Sequence, residues 1–486
     1  MESMFRWLLA LLGLLALACT GAYIAAGRGT PPQLTIDKPD RFVGHSGSLD
    51  VTADAPNAQL SALTITLEQN GRRIPLFTLD GTQETSVTRV DRNLGRQGIS
   101  VTRVDRNHLK LSLPLGKLSV PALQSGPARV VVSATRPSFL NLRQLTSTAS
   151  KDFQVRLEPP RIAVLSTHHY VNHGGSEMVV YKATPADVAS GVLVGSVEYP
   201  VRNVEYPGFP ASGAGVEGAD PSIKVAFFAL LHDQRINTEI ALFARDEAGN
   251  QTNVSFVDNV FDKPFKQSRI ELDDTFINRV VPEILEHSPE LKMTVPAPNT
   301  PEMLAAFLKV NGELRTINTN QIAALAAKTS PKRLWDGPFV QLGNSQVEAS
   351  FADRRTYIYK GKEVDQQTHL GFDLAVTQHV PVASANSGTV VHASWLGIYG
   401  NCVVVDHGLG VQSLYGHLMS FDVKVGDAVT RGQIVGRSDS TGLAGGDHLH
   451  FTMLVGGRMV NPVEWWDPHW IADRVERKLR EARQTR

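Results

Sequence analysis

The longest uninterrupted apolar stretch lies at the N-terminus. Trp7 to Ala26 is apolar apart from Thr20 and a few glycines, and Arg6 and Arg28 bracket it. About 20 apolar residues in a helix suffice to cross the hydrocarbon core of a bilayer. Two readings stay open. Residues 1–28 form an uncleaved single-pass anchor, or they are a cleaved signal, since Ala16-Leu17-Ala18-Cys19 loosely resembles a lipoprotein processing site. Ala16 stands where such sites usually carry leucine, and the apolar run continues past Cys19 to Ala26, so the anchor is the favoured reading. One arginine on each flank gives only a weak orientation signal.

After the linker Gly29-Thr30-Pro31-Pro32-Gln33 the apolar period becomes two. Leu63, Ile65 and Leu67 alternate with polar residues, Asn70-Gly71 is a hairpin turn signal, and Ile74, Leu76 and Phe77 follow. Val130-Val131-Val132 reads as another strand. The spacing predicts an immunoglobulin-like β-sandwich over 32–158. An internal repeat lies within it: Ser86-Val-Thr-Arg-Val-Asp-Arg-Asn93 recurs as Ser100-Val-Thr-Arg-Val-Asp-Arg-Asn107. Two copies fourteen residues apart are too short and too few for a solenoid. They read as a local duplication forming two strands or an extended loop.

Pro159-Pro160 marks a boundary, and 159–262 reads as a second β-sandwich-like domain. Ile240 and Leu242 alternate there, and Asp246-Glu247-Ala248-Gly249-Asn250 is a turn. The pattern shifts to a helical period in 263–334. Residues 273–287 carry Phe276, Ile277, Val280 and Ile284, with Asp274 as the expected cap. A clearer helix opens at Thr300, where Pro301 suits the first helical position and Glu302 the positive end of the dipole. Leu304, Phe307, Leu308 and Leu314 supply its apolar side, and 321–328 reads as a further short helix. These helices are expected to pack as a hairpin against the domain that follows; a lid over its groove is the sharper alternative. Short strands separated by glycine-rich turns fill 335–467 and imply tight antiparallel hairpins. From 468 to 486 the helical period returns. Ile471, Val475, Leu479 and Ala482 form a stripe among Arg474, Arg477, Lys478, Arg480 and Arg483. Such a helix packs its stripe on its own domain or lies on a membrane surface, and the first is expected here.

Composition adds exclusions. Formal charge is zero, with 48 basic and 48 acidic residues, so there is no electrostatic footprint for nucleic acid. The two cysteines, Cys19 and Cys402, lie in the N-terminal run and in an expected strand, so no internal disulfide is expected.

The chemistry concentrates between His369 and His450, which holds seven of the fifteen histidines. His448 and His450 flank Leu449, and on a strand residues two apart share a face. His369 and Asp373 are four apart, a spacing that also places them on one face of a helix or strand; Gly371 and the following Leu374-Ala375-Val376 favour a strand. His417 follows Tyr415-Gly416. Imidazoles with one carboxylate suit zinc, whose catalytic sites hold three protein ligands and an open position. Bound zinc makes water a nucleophile near neutral pH, and a spare histidine supplies a base. Spacing alone does not say which of His448 and His450 is the ligand.

The segment resembles the lysostaphin/LytM-type zinc metallopeptidases, which cut peptide cross-links of bacterial peptidoglycan. His369 and Asp373 match the HxxxD motif, His417 the motif around the middle histidine, and His448 and His450 the HLH motif. Asn386–Val390, Val404–Gly408, Val425-Gly426-Asp427, Gly432-Gln433 and Ser440-Thr441-Gly442 match between them. The resemblance implies one zinc held by His369, Asp373 and His450, with His417 and His448 as catalytic residues flanking the reacting water and carbonyl. His407 is expected to be a structural strand residue or to hydrogen-bond near the site, and His379 and His392 to be surface or strand residues.

The expected chain is mainly β: an N-terminal transmembrane helix, two immunoglobulin-like domains, a short helical region and a C-terminal antiparallel LytM-type peptidase domain. The expected function is a membrane-anchored zinc endopeptidase acting on peptidoglycan from the inner (cytoplasmic) membrane, with its body in the periplasm. An unknown regulatory protein is a further expected partner. An anchor without a wall-targeting repeat favours a D-alanine to diamino-acid bond over a glycine bridge. Two rivals are a non-catalytic peptidoglycan-binding activator of other wall hydrolases and an envelope adaptor with a lipoyl-like barrel-sandwich. The intact set of five residues argues against both.

Overall fold

In the computed structural model the N-terminal run is one α-helix, Glu2–Ala26, and its stretch Met4–Ala26 is long and apolar enough to cross a membrane. Signal sequences share that property. The structure describes residues 2–55, 59–80, 87–88, 100–103, 107–138, 141, 143–195 and 203–484. The chain divides into two compact units, Met1–Pro160 with Arg245–Gln251, and Arg161–Ala244 with Thr252–Arg486.

The first unit's strands follow directly from the period of two. In Ser48–Asp54 the alternate residues Leu49, Val51 and Ala53 are buried, and in Ala62–Gln69 so are Leu63, Ile65 and Leu67. The first strand belongs to a four-stranded sheet and the second to a six-stranded one. Both line a single apolar core with Phe77, Leu111, Val130, Val132 and Phe153. Each such side chain contributes roughly 1.5–3 kcal/mol by leaving water. Asn70 and Gly71 both take positive φ, 51° and 73°, as a tight hairpin requires. The duplicated octapeptide feeds both sheets: Val87–Thr88 pairs with Thr78 and Leu79, whereas Ser100–Arg103 pairs with Leu109–Ser112. Asn107 apart, the other residues of the two copies lie outside the described residues.

In the second unit the strands Ser176–Thr184 and Ile223–Ala229 are buried along almost their whole length, without alternation. Ile240–Arg245 behaves likewise, so the expected alternation of Ile240 and Leu242 with exposed residues is not found. The sheet that holds Ser176–Thr184 and Ile223–Ala229 has its outer face covered by the C-terminal part of the chain. Phe227 packs against Trp335 and Trp465, at ring-centroid distances of 6.3 and 5.7 Å. The C-terminal helical segment, Pro468–Gln484, buries Ile471, Val475, Leu479 and Ala482 and lies on Ser176–Thr184. The stripe thus packs on the preceding β module. Lys478, which the sequence places on the polar side, is fully buried and pairs with Glu177 at 2.8 Å.

The helical region opens with Asp274–His287. Its cap is Asp273, whose carboxylate accepts from Phe276 N, rather than the expected Asp274, which instead accepts from the Tyr359 hydroxyl. Thr300 caps Pro301–Lys309 as expected, and the helical path continues through a wide turn, Val310–Leu314, into Arg315–Leu325, longer than the expected 321–328. These helices pack on the C-terminal domain. Arg279 donates to Ala444 O at 2.8 Å, and Asn318 Oδ1 accepts from Ile398 N at 3.0 Å.

The C-terminal domain is a ten-stranded sheet, antiparallel throughout its registers. At its centre Phe372–Ala375, His448–Val455, Val411–Phe421 and Asn401–Gly408 lie side by side. A separate hairpin, Asp353–Tyr359 with Lys362–His369, leads into it, and Gln267–Leu272 adds a parallel strand to the hairpin's edge.

Candidate metal centre

His369 and Asp373 do not share a strand. His369 ends Lys362–His369, Leu370 and Gly371 turn the chain, and Asp373 lies in Phe372–Ala375 of the large sheet. The same-strand expectation is corrected: four residues carry the chain from one sheet to another. Asp373 then sits directly opposite His450 in the antiparallel register, and His450 opposite Gly416. Facing residues in such a register have Cβ atoms about 5 Å apart.

The small residues are needed for space. A Cβ on Gly371 would lie 2.5 Å from two atoms of the His450 ring. Tyr399 packs on the same ring at a centroid distance of 5.2 Å. His417 takes φ +61° within a strand whose pairing with Asn401–Gly408 is irregular at this point. Such irregularities re-aim side chains. The His417 ring lies 4.8 Å from the His448 ring and 5.8 Å from the His450 ring, centroid to centroid.

All five expected residues therefore converge. His369 Nε2 is 2.9 Å from Asp373 Oδ1 and 3.1 Å from His450 Nδ1, and His450 Nδ1 is 3.0 Å from the same Asp373 oxygen. His448 Nε2 lies 3.4 Å from that oxygen. The five side chains are buried or nearly so.

The hydrogen bonds on the far ring atoms set the tautomers. Carbonyls only accept, so each ring nitrogen facing one donates. His417 Nδ1 donates to Thr441 O at 2.7 Å, His448 Nδ1 to Gly446 O at 2.8 Å, and His369 Nδ1 to Ser350 O at 3.3 Å. With Nδ1 engaged by Ser350 O, His369 turns Nε2 toward a carboxylate oxygen and a second imidazole nitrogen. These three atoms, within 2.9–3.1 Å of one another, are gathered closely enough for one metal ion to take all of them as ligands. Two imidazoles and one carboxylate oxygen form a donor set that zinc takes. On the donor set and its spacing, these residues fit zinc.

The charges follow from burial and neighbours. Burial by itself pushes the Asp373 carboxyl up, but His369, His448 and His450 around it hold it well below the usual range. Burial lowers His450 to about 4, and burial with His448 and His450 beside it keeps His417 well below its usual value. For His448, burial is outweighed by its contact with Asp373, and its pKa rises.

The other histidines separate from the site. His407 is buried in a core network, with Nε2 2.7 Å from Ser413 Oγ, which donates to the Tyr415 hydroxyl. His392 is a strand residue bonded to Ser394 O, and His379 is half-exposed beside Asp447. Sequence reasoning missed Arg355, whose Nη2 donates to Asp373 Oδ2 at 3.0 Å. It also missed Tyr399, which packs on the His450 ring, and Asn318, which accepts from Ile398 N in the turn that carries Tyr399. None of the three stands at a motif spacing, and each belongs to a different element.

Comparison with known proteins places this geometry in a family. The family model described as Peptidase family M23 matches residues 367–462. Over 95 residues the chain is 39% identical to the DD-carboxypeptidase/endopeptidase Mpg of Neisseria meningitidis, covering 20% of this chain and 22% of that protein. It is 40% identical over 96 residues to the peptidoglycan DD-endopeptidase ShyA of Vibrio cholerae, with 20% and 22% covered. It is 38% identical over 95 residues to the murein hydrolase activator EnvC of Escherichia coli, with 20% and 23% covered. The chain thus spans less than a quarter of the length of each of these relatives. The resemblance read from the motifs is the family found, and residues 367–462 of this chain are a Peptidase family M23 domain of the lysostaphin/LytM type with its histidine and aspartate group intact.

Proposed function

We propose that the protein is a zinc-dependent endopeptidase that hydrolyses peptide cross-links of bacterial peptidoglycan. The observation that carries this reading is the meeting of His369 Nε2, Asp373 Oδ1 and His450 Nδ1 at 2.9–3.1 Å, with His417 and His448 beside them. His369, Asp373 and His450 would hold the zinc, which supplies a Lewis acid that activates water and polarises a carbonyl.

The remaining work falls to His417 and His448. With Nδ1 committed to Thr441 O and its pKa depressed, His417 is neutral and offers Nε2 as a proton acceptor. His448, fixed through Nδ1 by Gly446 O and more readily protonated, donates from Nε2 to the oxygen on which charge develops. Burial of both residues strengthens each of these interactions.

In this proposal Met4–Ala26 is a single-pass anchor in the cytoplasmic membrane. The body lies in the periplasm, and the two β modules, read as immunoglobulin-like, set the reach to the wall. The bond favoured is D-alanine to a diamino acid, in keeping with the DD specificity printed for Mpg and ShyA.

The test uses the full chain in detergent with purified peptidoglycan, with and without a chelator, beside His448→Ala. Chelator-sensitive loss of cross-linked fragments, restored by zinc and absent in the variant, is expected. A zinc-loaded protein that releases nothing refutes the enzyme.

A further inference from the structure

Arg355 reaches the candidate metal centre from outside the segment that matches the family. It lies on Asp353–Tyr359, two residue pairs along the hairpin from the position where Asp353 faces His369. Its Nη2 donates to Asp373 Oδ2 at 3.0 Å, and its Nε lies 3.5 Å from Asp353 Oδ2. Asp353 is almost fully buried and accepts from Ser268 Oγ, 2.9 Å from each of its oxygens. Ser268 belongs to Gln267–Leu272, whose parallel register sets it opposite Arg355.

The two oxygens of Asp373 thus have separate tasks. Oδ1 faces His369 and His450, and Oδ2 faces Arg355. A carboxylate with one oxygen free can turn about its last bond and take a metal through one oxygen or two. A guanidinium bonded to Oδ2 removes that freedom and leaves Oδ1 alone for the cation. An unbalanced positive charge here would oppose a divalent metal. Asp353 supplies the balance: with Asp373 and Arg355 the group carries a net single negative charge. Arginine suits the task, since its planar fork fixes direction and it stays charged when buried.

We propose that Arg355 is a positioning residue that holds Asp373 as a one-oxygen metal ligand, and that Asp353 and Ser268 hold Arg355 in place. The proposal rests on the zinc reading given above. It implies that the metal affinity of this protein depends on two strands, Gln267–Leu272 and Asp353–Tyr359, that precede the family segment.

The full chain in detergent, stripped of metal, is titrated with zinc against a chromophoric chelator. Wild type is compared with Arg355→Met, Arg355→Lys and Asp353→Asn, and the melting of each zinc-free protein is recorded. Arg355→Met is expected to lose about 10–100-fold in zinc affinity, as removal of an outer partner of a ligand typically does. Arg355→Lys should recover part of the loss. Cobalt(II) supplies a second readout, because a carboxylate that turns to bind through both oxygens raises the coordination number and weakens the visible band. A purely structural arginine would lower the zinc-free melting point and leave affinity and the cobalt spectrum unchanged. Zinc affinity within twofold of wild type and an unchanged cobalt band in Arg355→Met overturn the proposal. Should that variant fail to fold, the same result in both Arg355→Lys and Asp353→Asn overturns it. A wild-type protein that takes up no zinc overturns the zinc reading and this proposal together.

Discussion

Replacing Lys478 with methionine isolates the cost of an uncompensated buried charge. Lys478 Nζ lies 2.8 Å from Glu177 Oε1 and donates to Met178 O at 2.7 Å, and both side chains are fully buried. Methionine fills the stem's volume but removes the ammonium. Glu177 then keeps bonds from Met178 N and Tyr170 N, and Arg474 at 3.6 Å, but loses its closest charge. Breaking such a pair costs roughly 3–5 kcal/mol. An independent ceiling comes from protonation. The variant can take up a proton on Glu177, and at pH 7 forcing a carboxyl with an ordinary pKa of ~4.3 to be neutral costs about 3.7 kcal/mol. The lost bond to Met178 O adds about 1 kcal/mol. The expected deficit is therefore about 5 kcal/mol at pH 7 and about 2 kcal/mol at pH 5, where neutralising the carboxyl costs only about 1 kcal/mol.

Urea unfolding followed by tryptophan fluorescence reads this directly. Five of the six tryptophans, Trp335, Trp395, Trp465, Trp466 and Trp470, lie in the second unit, and Trp465 and Trp470 pack at 5.2 Å beside the helix that carries Lys478. Variant and wild type are compared at each pH, so that other titrations cancel. Glu177→Leu combined with Lys478→Met should recover most of the loss, because neither charge is then buried. A single-variant deficit below about 1 kcal/mol at pH 7, or one of equal size at pH 5 and pH 7, would refute the reasoning.

Further outcomes follow from other sites. Glu464 is buried, bonded to Asn172 and Ser176 N, and burial raises its carboxyl to about 7. Its folded pKa lies above its unfolded one, so its stabilisation is full below about pH 4.5 and is lost by about 3 kcal/mol as pH rises through 7. Glu464→Gln should flatten that slope in the same urea assay. Gly371→Ala places a methyl group 2.5 Å from the His450 ring and should weaken zinc binding by more than about 10-fold, read by chelator competition. His417→Ala and His448→Ala should keep zinc within a few-fold while losing about 10²–10⁴-fold in peptidoglycan cleavage.

Much of the candidate site was legible because its logic is local. The period of two put His448 and His450 on one face, and the motifs named the residues that the sheet register then sets together. The assignment of His369 and Asp373 to one strand failed because a two-residue turn at Leu370-Gly371 leaves no mark in hydrophobic period. Asp273 and Asp274 cap a helix equally well by type, and the Tyr359 hydroxyl settles which one does. Arg355 could not be found from spacing, since its role arises where a hairpin meets the large sheet. The burial of Lys478 leaves no mark in the helical pattern, because its partner is 301 residues away. The buried strands Ser176–Thr184 and Ile223–Ala229 lacked alternation for the same reason: the elements covering their second face come from the far end of the chain. In the first unit, where partners are near in sequence, alternation predicted the strands well.

If His417 has the proton-accepting role proposed for it, its backbone pulls thermal endurance and chemistry in opposite directions. A side chain held at φ +61° costs about 1–3 kcal/mol, which glycine would not incur. Glycine there would also lack the imidazole. A library randomised at this position and sorted only for survival on heating should enrich glycine and asparagine, whereas one sorted for wall cleavage should return histidine. On the role proposed for His417, position 417 is one where robustness is given up for reactivity, and a survey of sturdier variants would find it without reference to any substrate.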